Sequence, residues 1–145
     1  MRQALVQHHD EQLSLPIAYR GRRTANGTLV EAQQPSGLWN RLDPRFDLRR
    51  HSPAGFEWGY GGSGPAQLAL ALAASRLPDQ LARTIYQRLK RVLLQDSRPL
   101  WHIDAGRLDR ILVRLVSDDI AHDLFRDAAD AADAADAANI ADIAS

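Results

Sequence analysis

The strongest structural signal in this chain comes from residues 55–72, GFEWGYGGSGPAQLALAL. Residues 55–60 alternate aromatic and small side chains, which predicts a short strand with its large side chains on one face. A glycine-rich turn follows, and Pro65 suits the first turn of a helix that Ser63 or Gly64 caps, with Gln67 reaching back to the cap. The helix from Ala66 onward is apolar on every side, which predicts that it is buried on most of its surface.

Two short strands are predicted before this segment, at residues 17–20 and 28–32. Asn26-Gly27 between them suits a primed hairpin turn, because both residues tolerate positive φ. Residues 33–43 contain Pro, Ser and Gly and are predicted to form a loop.

Two further helices are predicted after the buried one. Pro78 ends the first helix, and Asp79 caps the second. Residues 100–103 return as a strand, and Asp104 then caps the third helix. The residues that the periodicity turns inward are Leu81, Ile85, Leu89, Val92 and Leu93 in the second helix and Leu108, Ile111, Leu112 and Leu115 in the third. The predicted fold class is α+β, a small antiparallel sheet packed on three or more helices, with an acidic Ala-rich C-terminal helix.

The end of the chain repeats Asp-Ala-Ala from Asp127 onward. Alanine is the best helix former, so a helix is predicted, although expansion of a low-complexity repeat is an alternative origin. Because a period of three does not match 3.6 residues per turn, the aspartates drift around the axis and no apolar seam is predicted. We therefore divide the chain into a flexible N-terminal arm (1–15), a single α+β domain (16–116) and an acidic C-terminal helix or tail (117–145).

Charge is divided unevenly along the chain, although the formal net charge is zero. Residues 1–116 hold 17 Lys and Arg against 10 Asp and Glu, a balance of +7, whereas residues 117–145 hold Arg126 against eight Asp, a balance of −7. Such an asymmetry indicates contact with nucleic acid or with proteins that bind it. Every cation except Lys90 is arginine, which binds phosphate or carboxylate at two points. Codon usage is the alternative reason for that preference.

Length and composition exclude several classes of protein. At 145 residues, with 45% hydrophobic and 25% charged residues, the chain is typical of one globular domain. Without cysteine it has no disulfide, thiolate nucleophile or cysteine-ligated metal site. No segment approaches the roughly 18 apolar residues of a membrane span, and the N-terminus lacks the apolar core of a signal peptide. We expect a soluble, cytoplasmic protein with no cofactor, no metal and no membrane partner.

Residues 55–72 resemble the signature of a small domain family of unknown function, found in bacteria, archaea, plasmids and phages. Residues 19–24, YRGRRT, resemble the opening motif of that family, and the resemblance extends roughly from Ile17 to Ile103. The family has no activity to carry over. The resemblance implies a setting in mobile genetic elements, whose small accessory proteins often manage nucleic acid or block host defences. The chain departs from the family pattern from Ser117 onward.

The glycine-rich turn is the leading candidate site, and it consists of Gly61, Gly62, Ser63 and Gly64. Free backbone N–H groups at a helix start bind anions, which favours a phosphate-binding loop. The turn matches neither GxxxxGK[ST] nor GxGxxG. The alternative is structural, because glycines let the backbone pass close to Trp58 and Tyr60.

Aromatic residues suggest a second site. Trp58 and Tyr60, with Phe56, would form a stacking platform for bases if at least two of the three were exposed. Aromatic residues in a strand are otherwise typical of a core.

Arginines supply a third candidate, a basic surface. They are Arg20, Arg22 and Arg23 in the first hairpin, Arg41, Arg45, Arg49 and Arg50 before residues 55–72, and Arg107, Arg110 and Arg114 on one stripe of the third helix. Each group alone is typical of a solvated face, but together they would bind phosphates. The alternative is internal, with the third-helix stripe pairing with Asp118, Asp119, Asp123 and the tail.

The chain offers little material for catalysis. Its candidate acid–base groups are His51, His102, Glu57, Asp47 and Asp104. A Ser63–His51 pair would need an oxyanion hole, which the glycine-rich turn would supply.

We therefore predict a non-enzymatic binding protein of mobile-element type that acts on nucleic acid or on a nucleoprotein complex. An inhibitor of a host defence system, such as CRISPR interference, is its most concrete version. The alternative is a nucleotide- or phosphate-binding domain, or a small enzyme, that uses the turn over residues 61–64.

Overall fold

The computed structural model describes residues 15–93 and 98–144, so residues 1–14 of the predicted arm lie outside the described residues. The described elements are the strands β1 (Ala18–Thr24), β2 (Gly27–Gln33), β3 (Trp39–Arg41) and β4 (Leu100–Asp104), and the helices α1 (Ser63–Ala74), α2 (Asp79–Leu93) and α3 (Ala105–Ala144). The strands form one antiparallel sheet in the order β3-β2-β1-β4. The predicted α+β fold, with its acidic C-terminal helix, is confirmed.

β1 and β2 form the predicted hairpin with a different turn. Thr24 pairs with Gly27, which leaves Ala25 and Asn26 as the two turn residues. Gly27 has a φ of 120°, whereas neither Ala25 nor Asn26 has a positive φ. A primed turn of type I′ needs positive φ at both central residues, so the predicted turn at Asn26-Gly27 is wrong.

The segment between β2 and α1 differs from the prediction in two places. β3 lies within residues 33–43, which were predicted as a loop. The prediction missed this strand because three residues are too few to show the alternation of a strand. Residues 55–60 were predicted as a strand but form none. Gly55 and Gly59 have φ values of 102° and 87°, so the backbone turns there where a strand would extend.

α1 forms the centre of the core, as its apolar sequence predicts. Its residues from Gly64 to Ala73 are all buried. The helix begins at Ser63 with Gly62 as the N-cap, and no side chain caps it. The predicted cap at Ser63 or Gly64 is therefore wrong.

Gln67 is a fully buried polar side chain in this core. Its amide nitrogen donates hydrogen bonds to the carbonyl oxygens of Pro44 (2.6 Å) and Arg49 (3.0 Å). Its amide oxygen accepts hydrogen bonds from the backbone N–H groups of His51 (2.8 Å) and Ser52 (3.3 Å). Gln67 thus fastens the turn over residues 44–52 to α1, and the prediction that it reaches back to the helix cap is wrong.

α2 buries only part of its predicted stripe. Ile85 and Leu89 are buried and Leu93 is half-buried, but Leu81 and Val92 are exposed. The two exposed residues lie near the ends of the helix, which runs from Asp79 to Leu93.

α3 begins at its predicted cap and continues far beyond the core. Asp104 Oδ1 accepts a hydrogen bond from the Arg107 N–H at 2.8 Å, which holds the pKa of that carboxyl below its ordinary value. Among the side chains of α3 that are described, up to Ala138, Leu115 is the last buried one, and every side chain from Ile120 to Ala138 is exposed. The predicted division at residue 116 falls where burial ends but within one continuous helix, and it stays a prediction.

Candidate nucleic-acid interface

The sheet has one face covered by helices and one face that the described residues leave open. Strand alternation turns Tyr19, Ala32 and Ile103 toward the helices, and all three are buried. The side chains that alternate with them point away from the helices, because directly paired residues share a face. We call this second set the open face, and it consists of Arg20, Arg22, Leu29, Glu31, Gln33, Trp39, Arg41, Leu100 and His102.

One row of side chains across the open face contains most of its charged groups. In the register of the sheet, Arg20 of β1 lies opposite Glu31 of β2 and His102 of β4, and Arg41 of the edge strand β3 lies opposite Glu31. The row therefore presents two guanidinium groups and an imidazole ring around a single carboxylate.

Arg20 is held in place on the open face by two contacts. Its guanidinium carbon lies 3.9 Å from the centroid of the Trp39 ring, and its Nε donates to Glu31 Oε1 at 3.1 Å. The Arg20 side chain as a whole is still 43% exposed, so the pair is open to solvent on one side. His102 meets the same indole edge-on, with ring centroids 6.3 Å apart. A planar cation fixed in this way is a stacking surface for a nucleic-acid base.

A shallow cavity of about 600 Å³ lies beside this stack. Its lining residues include Arg20, Arg22, Leu100, Trp101 and His102. Arg22 and Leu100 are exposed, so the cavity combines a cation with apolar and aromatic surface. That combination suits a nucleotide, whose phosphate is anionic and whose base has an apolar face.

Gly21 of β1 leaves room for the Trp101 side chain to pack against the strand backbone. A Cβ at position 21 would overlap the indole of Trp101, which lies directly against the Gly21 backbone. Trp101 in turn packs edge-on against Trp58 with ring centroids 5.8 Å apart, and Trp58 Nε1 donates to the Arg98 carbonyl at 2.8 Å. The absence of a side chain at Gly21 is therefore needed for both tryptophans to pack.

Gly21→Ala is expected to displace Trp101 and to lower the free energy of unfolding by about 1–3 kcal/mol, as overpacked sites do. Urea denaturation measures this change. Gly61→Ala is the matched control, because a Cβ there meets nothing within 4 Å and its φ is not positive. Equal stability of the two variants would contradict the close packing of Trp101 on Gly21.

Arg23 points to the opposite side of the sheet from Arg22, because successive strand residues alternate. It forms an ion pair with Glu57, and it donates to the Trp58 carbonyl at 2.8 Å. Its guanidinium also lies 4.7 Å from the centroid of the Trp58 ring. Arg23 thus anchors residues 57–58 and is not part of the open face.

Arg45, Arg49 and Arg50 lie on the turn that Gln67 fastens. Arg45 forms ion pairs with Asp47 (3.0 Å) and Asp79 (2.9 Å), and hydrogen bonds to these carboxylates raise its pKa. Arg49 and Arg50 are exposed. The structure therefore uses Arg45 as a tether between this turn and α2.

Arg107, Arg110 and Arg114 are exposed along α3, as predicted. They border a cavity of about 260 Å³ with apolar walls that include Ile111. Arg107 and His102 also line a smaller cavity of about 100 Å³, so this stripe begins next to the open face. The basic residues thus form two neighbouring groups, one on the sheet and one on α3.

The predicted alternative, in which the α3 arginines pair with Asp118, Asp119, Asp123 and the tail, is not supported for two of these residues. Asp119 pairs with Arg88 of α2 at 2.7 Å. Asp123 pairs with Arg126 at 3.2 Å. Asp119 and Asp123 therefore have other partners, and pairing of the stripe with Asp118 or the tail stays a prediction.

The glycine-rich turn packs closely against its own neighbours. A Cβ at Gly62 would overlap the ring of Tyr60, and a Cβ at Gly64 would overlap the side chain of Glu57. Gly64 and Pro65 are buried, and proline has no N–H to offer an anion. These contacts give both glycines a structural role, and phosphate binding at this turn stays a prediction.

The predicted stacking platform is not formed. Trp58 is 1% exposed and Phe56 is half-buried, so only Tyr60, at 55%, is open to solvent. The accessible aromatic rings of the open face are Trp39, which was not predicted as part of any site, and His102, which was predicted only as a candidate acid–base group. They come from opposite edges of the sheet, and no local pattern in the sequence connects them.

His51 belongs to the structure of the turn over residues 44–52. Its Nε2 lies 2.7 Å from the hydroxyl of Tyr86, so the predicted Ser63–His51 pair is not formed. Burial, together with the charges of Arg49 and Lys90, lowers the pKa of His51 below its ordinary value.

Comparisons with known proteins identify the family of the chain. No curated protein and no solved structure matches it. Among the described residues, no helix has the length and apolar character that crossing a membrane requires. A model of a family of unknown function, DUF6166, matches residues 19–114, which is more than half of the 145 residues and ends before the acidic half of α3. The chain therefore belongs to the DUF6166 family of unknown function.

Proposed function

We propose that this protein binds nucleic acid and that the open face of the sheet is its binding surface. The observation that carries this proposal is the fixed guanidinium of Arg20, stacked on Trp39, hydrogen-bonded to Glu31 and still partly exposed. Arg22 and Arg41 lie on the same face and supply cations for the phosphate backbone.

The geometry favours single strands over duplexes. A base stacks on a guanidinium or aromatic plane only when its own face is free, and in a duplex that face is covered by neighbouring bases. A sheet surface with Arg20, Trp39 and His102 offers such planes, whereas duplex recognition usually places a helix or ribbon in a groove. Single-stranded DNA or RNA is therefore the proposed ligand.

We further propose a non-enzymatic role in which the protein occupies nucleic acid within a nucleoprotein complex. The acidic half of α3 supports this setting, because a concentration of carboxylates repels free nucleic acid and attracts the basic surfaces of proteins that bind it. Inhibition of a host defence complex, such as CRISPR interference, is the most concrete version of this role.

Fluorescence anisotropy with a labelled single-stranded oligonucleotide and its duplex tests the proposal at low salt. The wild-type chain is expected to bind the single strand more tightly. Trp39→Ala removes the support of Arg20 and is expected to weaken single-strand binding by about 1–3 kcal/mol, roughly 5- to 150-fold. Arg22→Ala is expected to weaken binding and to make it less dependent on salt.

Arg83→Ala is the matched control, since Arg83 is exposed on α2 away from both basic groups. It is expected to bind nearly as the wild type does. Binding that tolerates Trp39→Ala and Arg22→Ala as well as Arg83→Ala would contradict the open face as the site.

A further inference from the structure

Three cavities along β4 and the start of α3 join into one groove. The cavity of about 600 Å³ beside the Arg20 stack shares Arg98 and His102 with the cavity of about 100 Å³. That smaller cavity shares Arg107 with the cavity of about 260 Å³ against α3. We call the three cavities together the long groove. Because each cavity shares lining residues with the next, one flexible ligand can follow the groove from the open face to α3.

Arginine side chains line the long groove from one end to the other. They are Arg20, Arg22, Arg98, Arg107, Arg110 and Arg114. Within the described residues, no aspartate or glutamate lines any of the three cavities. Glu31 is hydrogen-bonded to Arg20, and Asp104 accepts the Arg107 backbone N–H and lies near Arg110. Guanidinium groups therefore outnumber the carboxylates beside the groove, which favours a polyanion as its ligand.

We propose that a single strand bound to the open face continues along the long groove, so that its backbone reaches the arginines of α3. This inference rests on the proposed function, because it starts from a strand stacked at Arg20. The groove begins beside that stack and ends at Arg114, and each junction between its cavities has an arginine on its wall. The proposed binding site therefore extends from the sheet onto the third helix.

The two ends of the long groove differ in the surfaces that they offer. At the open face, Arg20, Trp39 and His102 present planes on which bases stack. At α3, the cavity wall combines guanidinium groups with the aliphatic side chains of Val92 and Ile111, and among the described residues no aromatic ring lines it. Bases therefore bind on the sheet and phosphates on α3, where the contacts carry no sequence information.

The arginines of α3 have a spacing that suits a nucleic-acid backbone. Arg107, Arg110 and Arg114 are all exposed, and they follow one stripe of the helix. From Arg107 to Arg114 the helix rises about 10.5 Å, because each residue adds about 1.5 Å. A stacked strand carries one phosphate per about 3.4 Å, so this length matches about three phosphates. The stripe therefore offers one guanidinium group for each of these phosphates.

Anisotropy titrations with a short and a long single strand test this path. The short oligonucleotide has about 4 nucleotides and the long one about 16, which are the limits of site size in one common class of single-strand-binding domain. The stripe variant combines Arg107→Gln, Arg110→Gln and Arg114→Gln, since glutamine removes the charge and keeps the helix. It is expected to bind the long strand at least about tenfold more weakly than the wild type at low salt. Its binding of the short strand is expected to stay nearly unchanged, which also shows that the variant is folded.

The salt dependence of long-strand binding is a second measurement. Each phosphate contact on a single strand adds about 0.7 to the slope of log affinity against log salt concentration, so the loss of three contacts is expected to reduce the slope by about 2. The matched control combines Arg49→Gln, Arg50→Gln and Arg83→Gln, which removes the same charge at exposed residues that line none of the three cavities. The control is expected to keep the wild-type slope.

The outcomes separate this inference from the proposed function. A stripe variant that binds the long strand as tightly as the control does overturns the path along the groove and leaves the open face as the site. Equal weakening of short-strand and long-strand binding also overturns the path, because the stripe would then belong to the primary site. A wild-type chain that binds neither strand overturns the proposed function together with this inference.

Discussion

Gln67→Leu is expected to lower the free energy of unfolding by about 3–5 kcal/mol, although leucine has a similar volume and α1 is otherwise apolar. Gln67 satisfies two carbonyl groups and two N–H groups of the turn over residues 44–52 from a fully buried position. The four hydrogen bonds are part-buried, so each backbone group that loses its partner costs about 1 kcal/mol, the lower end of the range for buried groups, and leucine replaces none of the four bonds. Urea denaturation followed by circular dichroism measures the loss.

Gln87→Leu supplies the matched control for this prediction. Gln87 is exposed on α2, where the same substitution is expected to change stability by less than about 0.5 kcal/mol. A loss under about 1 kcal/mol for Gln67→Leu would mean that water or a shifted backbone replaces the four hydrogen bonds, and that Gln67 does not fasten the turn.

Removal of residues 127–145 is expected to strengthen single-strand binding several-fold at low salt while the chain stays folded. The deletion takes out five aspartates and no basic residue, so the net charge rises from 0 to +5. Less negative charge on the protein means weaker repulsion of the phosphates, and this long-range effect matters most at low salt, where screening is weakest. Side chains 127–138 are exposed, so no core contact is lost with them. Anisotropy titrations at several salt concentrations measure the effect.

Replacing Asp127, Asp130, Asp133 and Asp136 with asparagine separates charge from bulk, because it keeps the helix and raises the net charge from 0 to +4. This variant is expected to reproduce most of the gain. Unfolding of the truncated chain would show that the helix end supports the domain, against the division at residue 116. A folded truncation that binds no nucleic acid at low salt would contradict the proposed ligand and favour a protein partner.

The parts of the fold that depend on residues close together in the sequence were predictable. α1 is apolar on all sides, and burial of a helix follows from that pattern whatever surrounds it. Asp104 caps α3 by accepting a hydrogen bond from the backbone N–H of Arg107, three residues later, so a short stretch of sequence is enough to predict this role. In β1 and β2, the two strands of the hairpin, apolar and polar side chains alternate over enough residues for a strand to be recognised.

Features that depend on distant contacts were not predictable in this way. Gln67 stands where a capping-box residue would stand, and only the folded turn over residues 44–52 reveals its actual partners. Residues 55–60 alternate like a strand, but the positive φ values of Gly55 and Gly59 turn the backbone away from the sheet.

The candidate interface was predicted in part for the same reason. Arg20 and Arg22 share the open face because they are two residues apart in β1, but Arg23 is the next residue and therefore points to the other side. Trp39 and His102 join them only because β1 lies between β2 and β4 in the sheet. Strand order of this kind follows from the complete packing and not from alternation within each strand.

An NMR titration of ¹⁵N-labelled protein with a single-stranded oligonucleotide tests the proposed interface most directly. The chain has three tryptophans, whose indole N–H signals act as separate reporters. The Trp39 indole is expected to shift together with the amides of Arg20, Arg22 and His102, while the indole of Trp58, which is buried and bonded to the Arg98 carbonyl, stays in place. Shifts confined to residues 61–64, or no shifts at low salt, would contradict nucleic-acid binding by the open face.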